Sequence, residues 1–302
     1  MGCDFFSNTT DTNDNDNLKE KTIAIAAGRY HTLVLLEDGT LWTCGQNSNG
    51  QLGTSDKVLR NRPVKVLSEV KSITAGADHT MIVKTDGTLW ATGDNQYGQL
   101  GNGSQTDSAV PIWIMDNVLS VSAGGGHTMI LKNDGTLWAT GYNANGQLGD
   151  GFKNNLSTPV QVMSEVRSVS AGGNHTMILK TDDSLWGVGY DNVVWGKIAD
   201  NVKEVSAGGE FFAFIKKDNS LWTAGSNSRG QLGYGLDAES QTINKIMDDV
   251  ATVSAGWDHL LILKNDNSLW ATGENHYGQL GDGTFGSKNS PVKSAEKIEK
   301  RC

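Results

Sequence analysis

Only three cysteines occur, Cys3, Cys44 and Cys302, too few for a disulfide framework. No run of about 18 apolar residues exists, so the sequence offers no membrane-spanning helix. Lys and Arg never form a dense run, and the net charge is -9 with a pI near 5.1. Nucleic-acid affinity depends largely on Lys and Arg, so nucleic-acid binding is not expected. No Gly-x-Ser-x-Gly elbow and no His-Glu-x-x-His appears, and no nucleophile, base and orienting acid form a set. The chain therefore reads as no enzyme, with no cofactor and no metal. Proline is scarce at 4 residues, whereas glycine reaches 37. Glycines at regular intervals suggest many tight turns and close backbone contacts. Nine tryptophans and 37% hydrophobic residues separate the chain from a disordered glycine-rich polymer and allow a sizeable core.

The first 20 residues read as a polar tether, rich in Asn, Asp and Thr. Gly2-Cys3 followed by such a tether is similar to a bacterial lipoprotein just after its signal has been removed. Cys3 is then the lipidation candidate, and the protein is expected outside the cytoplasm on a lipid anchor. A plain disordered start in a cytoplasmic protein is the alternative. N-myristoylation wants a hydroxyl at the sixth position, where Phe6 stands.

From residue 21 to 302 the sequence repeats itself. Ala-Gly recurs at Ala27-Gly28, Ala75-Gly76, Ala123-Gly124, Ala171-Gly172, Ala207-Gly208 and Ala255-Gly256. Each pair leads, after two variable residues, to His31, His79, His127, His175 or His259, with Phe211 in the fifth copy. A short apolar run follows, then a turn such as Asp38-Gly39, Asp182-Asp183 or Asp266-Asn267. Next comes Leu-Trp, at Trp42, Trp90, Trp138, Trp186, Trp222 and Trp270. A long loop ends in Gly-Gln-Leu-Gly in every copy except the fourth, whose loop is cut short.

Apolar runs bounded by turn signals are strands. Asp-Gly between two runs signals a hairpin, because a tight turn needs positive φ at its centre. Each copy thus holds a hairpin from His-Thr to Leu-Trp. A strand precedes it, such as Val118 to Ser122, and a fourth follows the loop, such as Val64 to Leu67. Four antiparallel strands per repeat predict an all-β, closed β-propeller of six repeats in one domain. A solenoid would show atypical polar caps, and the outermost copies here are regular. The fourth copy is expected to keep its sheet, because long loops tolerate deletion cheaply.

Ala-Gly-x-x-His-Thr, Asp-Gly-x-Leu-Trp-x-x-Gly and Asn-x-x-Gly-Gln-Leu-Gly together resemble the regulator of chromosome condensation repeat, of a bacterial type. The resemblance spans about residues 21 to 298. It implies a β-propeller, usually of seven blades, which leaves six against seven open. It also implies a scaffold that binds proteins through loops on one face. Members include a nucleotide-exchange factor for a small GTPase, a light receptor and bacterial β-lactamase inhibitors. Photoreception is not supported, since only Trp113, Trp195 and Trp257 lie outside Leu-Trp.

A role that recurs in every repeat is structural. The repeat histidines are expected to hydrogen-bond within their own sheet, and the repeat tryptophans to pack in the core. Gly-Gln-Leu-Gly lacks the Lys-Ser/Thr of a phosphate loop and reads as a turn. Cys44 reads as a buried, unreactive thiol. Positions that vary inside the constant frame are the contact candidates. They fall between Ala-Gly and His, and in the loop after Leu-Trp. Tyr, Trp and Arg dominate interface hot spots, which selects Tyr30, Tyr97, Arg229, Trp257 and Tyr277. The expected function is a non-catalytic, surface-displayed monomer that binds an unknown protein partner. Alternatives are regulation of a small GTPase and inhibition of an enzyme such as a β-lactamase.

Overall fold

The computed structural model describes residues 21–189, 196–235 and 240–295. Every element is a strand, and the strands form six four-stranded antiparallel sheets. Sheet one holds β1 (Thr22–Ala27), β2 (His31–Leu36), β3 (Leu41–Gly45) and β4 (Arg60–Leu67). Sheet two holds β5 (Val70–Ala75), β6 (His79–Lys84), β7 (Leu89–Gly93) and β8 (Ser108–Met115). Sheet three holds β9 (Val118–Ala123), β10 (His127–Lys132), β11 (Leu137–Gly141) and β12 (Leu156–Met163). These three sheets make one compact unit, residues up to Ala144 with Asp150–Ser164.

The second unit takes Asn145–Gly149 and the chain from Glu165 onward. Its sheet four holds β13 (Val166–Ala171), β14 (His175–Lys180), β15 (Leu185–Gly189) and β16 (Gly196–Ala199). Sheet five holds β17 (Val202–Ala207), β18 (Phe211–Lys216), β19 (Leu221–Gly225) and β20 (Ser240–Met247). Sheet six holds β21 (Val250–Ala255), β22 (His259–Lys264), β23 (Leu269–Gly273) and β24 (Lys288–Ala295). The shortened fourth copy keeps all four strands, though β16 has only 4 residues. The outer strands start earlier than their apolar residues suggest, β4 at Arg60 rather than Val64.

At one end of each sheet, the hairpin turn differs from a two-residue turn with positive φ at its centre. In sheet one Gly39 N–H donates to Leu36 O, Leu36 N–H donates to Thr40 O, and positive φ falls on Gly39. This is a type I turn closed by a left-handed residue, and one such position is within reach of Asn or Asp. Asp183, Asn219 and Asn267 fill it at φ of 64°, 63° and 64°. The preceding Asp is fixed by its own chemistry. Asp38 Oδ1 accepts from Thr40 N–H at 2.9 Å and Thr40 Oγ1–H at 2.7 Å, and Trp42 Nε1–H donates to Thr40 Oγ1 at 3.1 Å. The same relay runs from Asp266 through Ser268 to Trp270. The repeat tryptophans are thereby tied to the turns and are half-buried.

Neighbouring sheets within a unit interlock through alternate faces of their strands. Leu33, Leu35 and Leu41 of sheet one pack with Val70 and Ile82 of sheet two. The histidines join this packing, and here the expectation is corrected. His31 Nε2 meets Thr80 Oγ1 of the next sheet at 3.0 Å, not a group of its own sheet, and His79 meets Thr128 in the same way. The imidazole lies against Gly28, where a Cβ would stand 2.2 Å from His31 Cε1, so no larger residue fits. Cys44 is buried on β3.

Candidate functional site

The other end of each sheet carries the variable residues, because both the Ala-Gly–His link and the long loop after Leu-Trp close there. A backbone bond pairs the two. The N–H that follows the last glycine of the third strand donates to the carbonyl just before the second strand. In the first unit these are Gln46 to Tyr30 at 2.8 Å, Asp94 to Asp78 at 2.9 Å and Tyr142 to Gly126 at 2.8 Å. In the second unit they are Ser226 to Glu210 at 2.9 Å and Glu274 to Asp258 at 2.8 Å. The long loop is held from inside by its Asn. Asn47 Oδ1 accepts from Leu52 N–H at 2.9 Å, and Leu52 is fully buried. Gly-Gln-Leu-Gly is therefore a pair of consecutive turns locked to the core, with Gly50 N–H to Asn47 O and Gly53 N–H to Gly50 O.

In the first unit Tyr30 is 66% exposed, and Arg29 stands 4.0 Å from the Asp78 carboxylate. Asp78, Asp94 and Asp107 gather beside it. Partial burial raises the Asp94 pKa above its ordinary value, Asp107 and Asp78 add to the rise, and the Gln96 N–H opposes it. Tyr97 is half-buried rather than free. Its ring meets Tyr142 at 4.8 Å between centroids, tilted by 50°, over Gly126.

In the second unit the Trp257 indole lies on a glycine shelf. A Cβ on Gly209 would stand 3.1 Å from the indole, and one on Gly173 would stand 3.2 Å from it. The indole is still 52% exposed, and Tyr277 is 89% exposed. Acidic groups surround this end. Burial raises the Asp258 pKa, Glu274 and Glu210 push it further, and Arg229 counteracts. Glu274 Oε1 lies 3.9 Å from Arg229 Nε and 3.3 Å from His276 Nδ1. Arg229 also lines a shallow groove with Lys288, Ser290 and Val292.

The five contact candidates thus occupy the loop end of their sheets, Tyr30 and Tyr97 in one unit, Arg229, Trp257 and Tyr277 in the other. Selection by aromatic and Arg content missed Asp94, Asp258, Glu274 and Tyr142. Variation at the residue after the third-strand glycine was the available signal for Asp94, Tyr142 and Glu274, and variation just before the histidine was that for Asp258. Among the described residues, no group of three or more His, Cys, Asp or Glu could hold a metal ion. Cys3 and Trp195 lie outside the described residues.

Residues 23–51, 70–99, 118–147, 166–193, 202–231 and 250–279 match the profile of the Regulator of chromosome condensation (RCC1) repeat. A second profile of the same repeat matches 38–83, 86–131, 134–179 and 218–263. No curated protein matches the sequence. Among solved structures, human WBSCR16 is 22% identical with a TM-score of 0.82, covering 91% of this chain and 82% of its own. Yeast RCC1 (Prp20), solved with Kap60, is 20% identical with a TM-score of 0.80, covering 91% of this chain and 75% of its own. The ectodomain of the Arabidopsis thaliana receptor kinase ACR4 is 14% identical with a TM-score of 0.55, over 84% of this chain and 80% of its own.

Proposed function

Because the chain belongs to the regulator of chromosome condensation (RCC1) repeat family of β-propellers, we propose that it is a non-catalytic scaffold that binds a basic protein partner through its loop end. The observation that carries this reading is Trp257. It is a large aromatic, half-exposed, set against Gly209 and Gly173 beside Asp258, Glu210 and Glu274. A rigid aromatic anchor loses little side-chain entropy on binding, and carboxylates around it attract Lys and Arg of a partner. Burial raises the Asp258 pKa, and the neighbouring Glu274 and Glu210 carboxylates push it further, a crowding that a cationic side chain relieves. The net charge of -9 favours the same partners at long range. Prp20p of Saccharomyces cerevisiae, 20% identical, is described as binding Gsp1p and histones, and histones are a protein class with the required charge.

The test uses purified histones as the basic probe and an acidic protein of similar size as control. Binding is expected to the histones alone, to weaken as salt rises, and to fall about tenfold or more in Trp257→Ala. Equal binding by wild type and Trp257→Ala overturns the reading. Display on a membrane through lipid on Cys3 belongs to the same proposal. An intact mass carrying lipid, measured on protein from its native host, supports it, and an unmodified chain beginning at Met1 sinks it.

A further inference from the structure

Within a unit, the long loop of one sheet lies on the outer strand of the next. Gly230 of sheet five abuts β24 of sheet six so closely that a Cβ would stand 2.5 Å from Lys288 O. Gly50 abuts β8 in the same way, with a Cβ 2.8 Å from Ser108 O, and Gly98 abuts β12, with a Cβ 2.8 Å from Leu156 O. The three glycines put these junctions in a common register, so their side chains correspond place by place. Arg229 stands where Asn49 and Tyr97 stand, Lys288 where Ser108 and Leu156 stand, and Ser287 where Asp107 and Asn155 stand.

In sheets two and three the last of these places closes the loop. Asp107 Oδ1 accepts the Asn95 N–H at 3.1 Å, and Asn155 Oδ1 accepts the Asn143 N–H at 2.9 Å. Asp107 also pairs with Lys57 at 3.1 Å. Ser287 makes no such bond, and the Asn275 N–H has no acceptor among the described residues. Here the junction of sheets five and six opens into a groove of about 460 Å³. Arg229, Lys288, Ser228, Ser287 and Ser290 line it, with Val292 as its apolar part, and among the described residues no carboxylate does. Two carboxylates outside the groove steady its cations. Glu274 Oε1 lies 3.9 Å from Arg229 Nε, and Asp282 Oδ2 lies 3.4 Å from Lys288 Nζ. The Arg229 guanidinium and the three serine hydroxyls make no hydrogen bond among the described residues.

We propose that this groove binds a phosphate group, as the free ion or as the monoester of a small molecule. A guanidinium, an ammonium and hydroxyls converge on it, a set of donors with no acidic group among them. That set exceeds what the two oxygens of a carboxylate can use, whereas a phosphate brings three terminal oxygens and nearly two negative charges at neutral pH. The planar fork of Arg229 matches two of those oxygens at once. The volume exceeds that of a bare phosphate and leaves room for a small molecule attached to it. The scaffold itself requires neither cation, since the corresponding places in the first unit hold the neutral residues Asn49, Tyr97, Ser108 and Leu156. The groove takes an anion, so this inference does not depend on the basic partner of the loop end.

Calorimetric titration of the full chain tests it, with glucose 6-phosphate, inorganic phosphate, glucose and acetate as probes at one ionic strength. At least one phosphate probe is expected to bind with a Kd below about 1 mM, and glucose and acetate to give no measurable heat. Tighter binding of glucose 6-phosphate assigns the groove to a monoester, and equal binding of the two phosphates assigns it to the free ion. Arg229→Gln and Lys288→Gln are each expected to weaken binding about tenfold or more. Ser287→Asp restores the acid that Asp107 supplies in sheet two and is expected to abolish binding. None of the three residues is buried, so the variants are expected to fold, and thermal unfolding checks this. A chain that binds neither phosphate probe at about 10 mM overturns the proposal. So do folded variants that all bind like wild type, and so does glucose that binds as well as its phosphate.

Discussion

His31 Nε2 lies 3.0 Å from Thr80 Oγ1, and the bond crosses from one sheet to the next. It is a lock and not an ornament of the hairpin, because Thr80 passes its own proton to Gln51 O of the first copy's long loop. Thr80→Val is expected to leave a buried N–H and a buried carbonyl without partners, at a cost of about 2 kcal/mol. His31→Phe removes the donor as well. In a double-mutant cycle the two changes together are expected to cost less than their sum, since the bond can be lost only once. Urea unfolding of the four proteins measures this, and strict additivity would show that the contact carries no energy.

The locks also set an acid limit on stability. Burial lowers the His31 pKa to about 4 and the His79 pKa to about 3, with His31 adding to the latter, and burial lowers His175 to about 4. All three lie below the ordinary value of 6.5, so the unfolded chain takes up these protons first as pH falls. The stability from neutral histidines is complete above about pH 6.5 and is lost as pH drops toward 4 and 3. Each histidine contributes a slope of about 1.4 kcal/mol per pH unit within that window. Urea midpoints at several pH values between about 7.5 and 5 are expected to fall steadily, and less steeply in His79→Phe.

The hairpin turns offer a backbone test. Asn267 holds φ of 64° at the left-handed position that Gly39 fills in the first copy. Asn267→Ala is expected to cost about 1 kcal/mol, since a Cβ is disfavoured there without a side chain that can bond locally. Asn267→Gly is expected to be neutral or slightly stabilising. Thermal unfolding of the two variants should place them on opposite sides of wild type, or nearly so. Two variants of equal stability would show that the turn relaxes to another conformation.

The sheet pattern was legible because its signals are local. Apolar runs, Asp-Gly turns and the spacing of Ala-Gly placed the strands of each copy, including the shortened fourth one. The destination of the histidine was not legible. A sequence shows that His31 recurs, but not that its ring leaves its own sheet for Thr80, a residue 49 positions away. The break in the fifth copy shows the same coupling in reverse. Phe212 replaces the hydroxyl that His175 would meet, and His175 Nε2 is left buried without a partner. The loop end was half legible. Aromatic and Arg residues stood out as variable, whereas Asp258 and Glu274 gain meaning only when the backbone sets them side by side.

The glycines beneath Trp257 argue for a surface built to hold an aromatic and not for loops that merely vary. A Cβ on Gly209 would come 2.7 Å from Trp257 O and 3.1 Å from the indole, so the backbone at Trp257 must shift and carry the ring with it. Gly209→Ala should therefore tilt or displace the indole while the rest of sheet five stays folded. If the anchor acts through its fixed pose, Gly209→Ala is expected to lose most of the histone affinity that Trp257→Ala loses, although it removes no side chain from the surface. Tryptophan fluorescence is a poor monitor with nine tryptophans in the chain, so binding is the better readout. Tyr277→Ala is the contrast. That ring is almost wholly exposed and nothing fixes it, so it must be ordered on binding, and its loss is expected to cost less than loss of Trp257. An order of effects in which Tyr277→Ala is the worst and Gly209→Ala is silent would move the contact surface off the shelf and onto the loop tips.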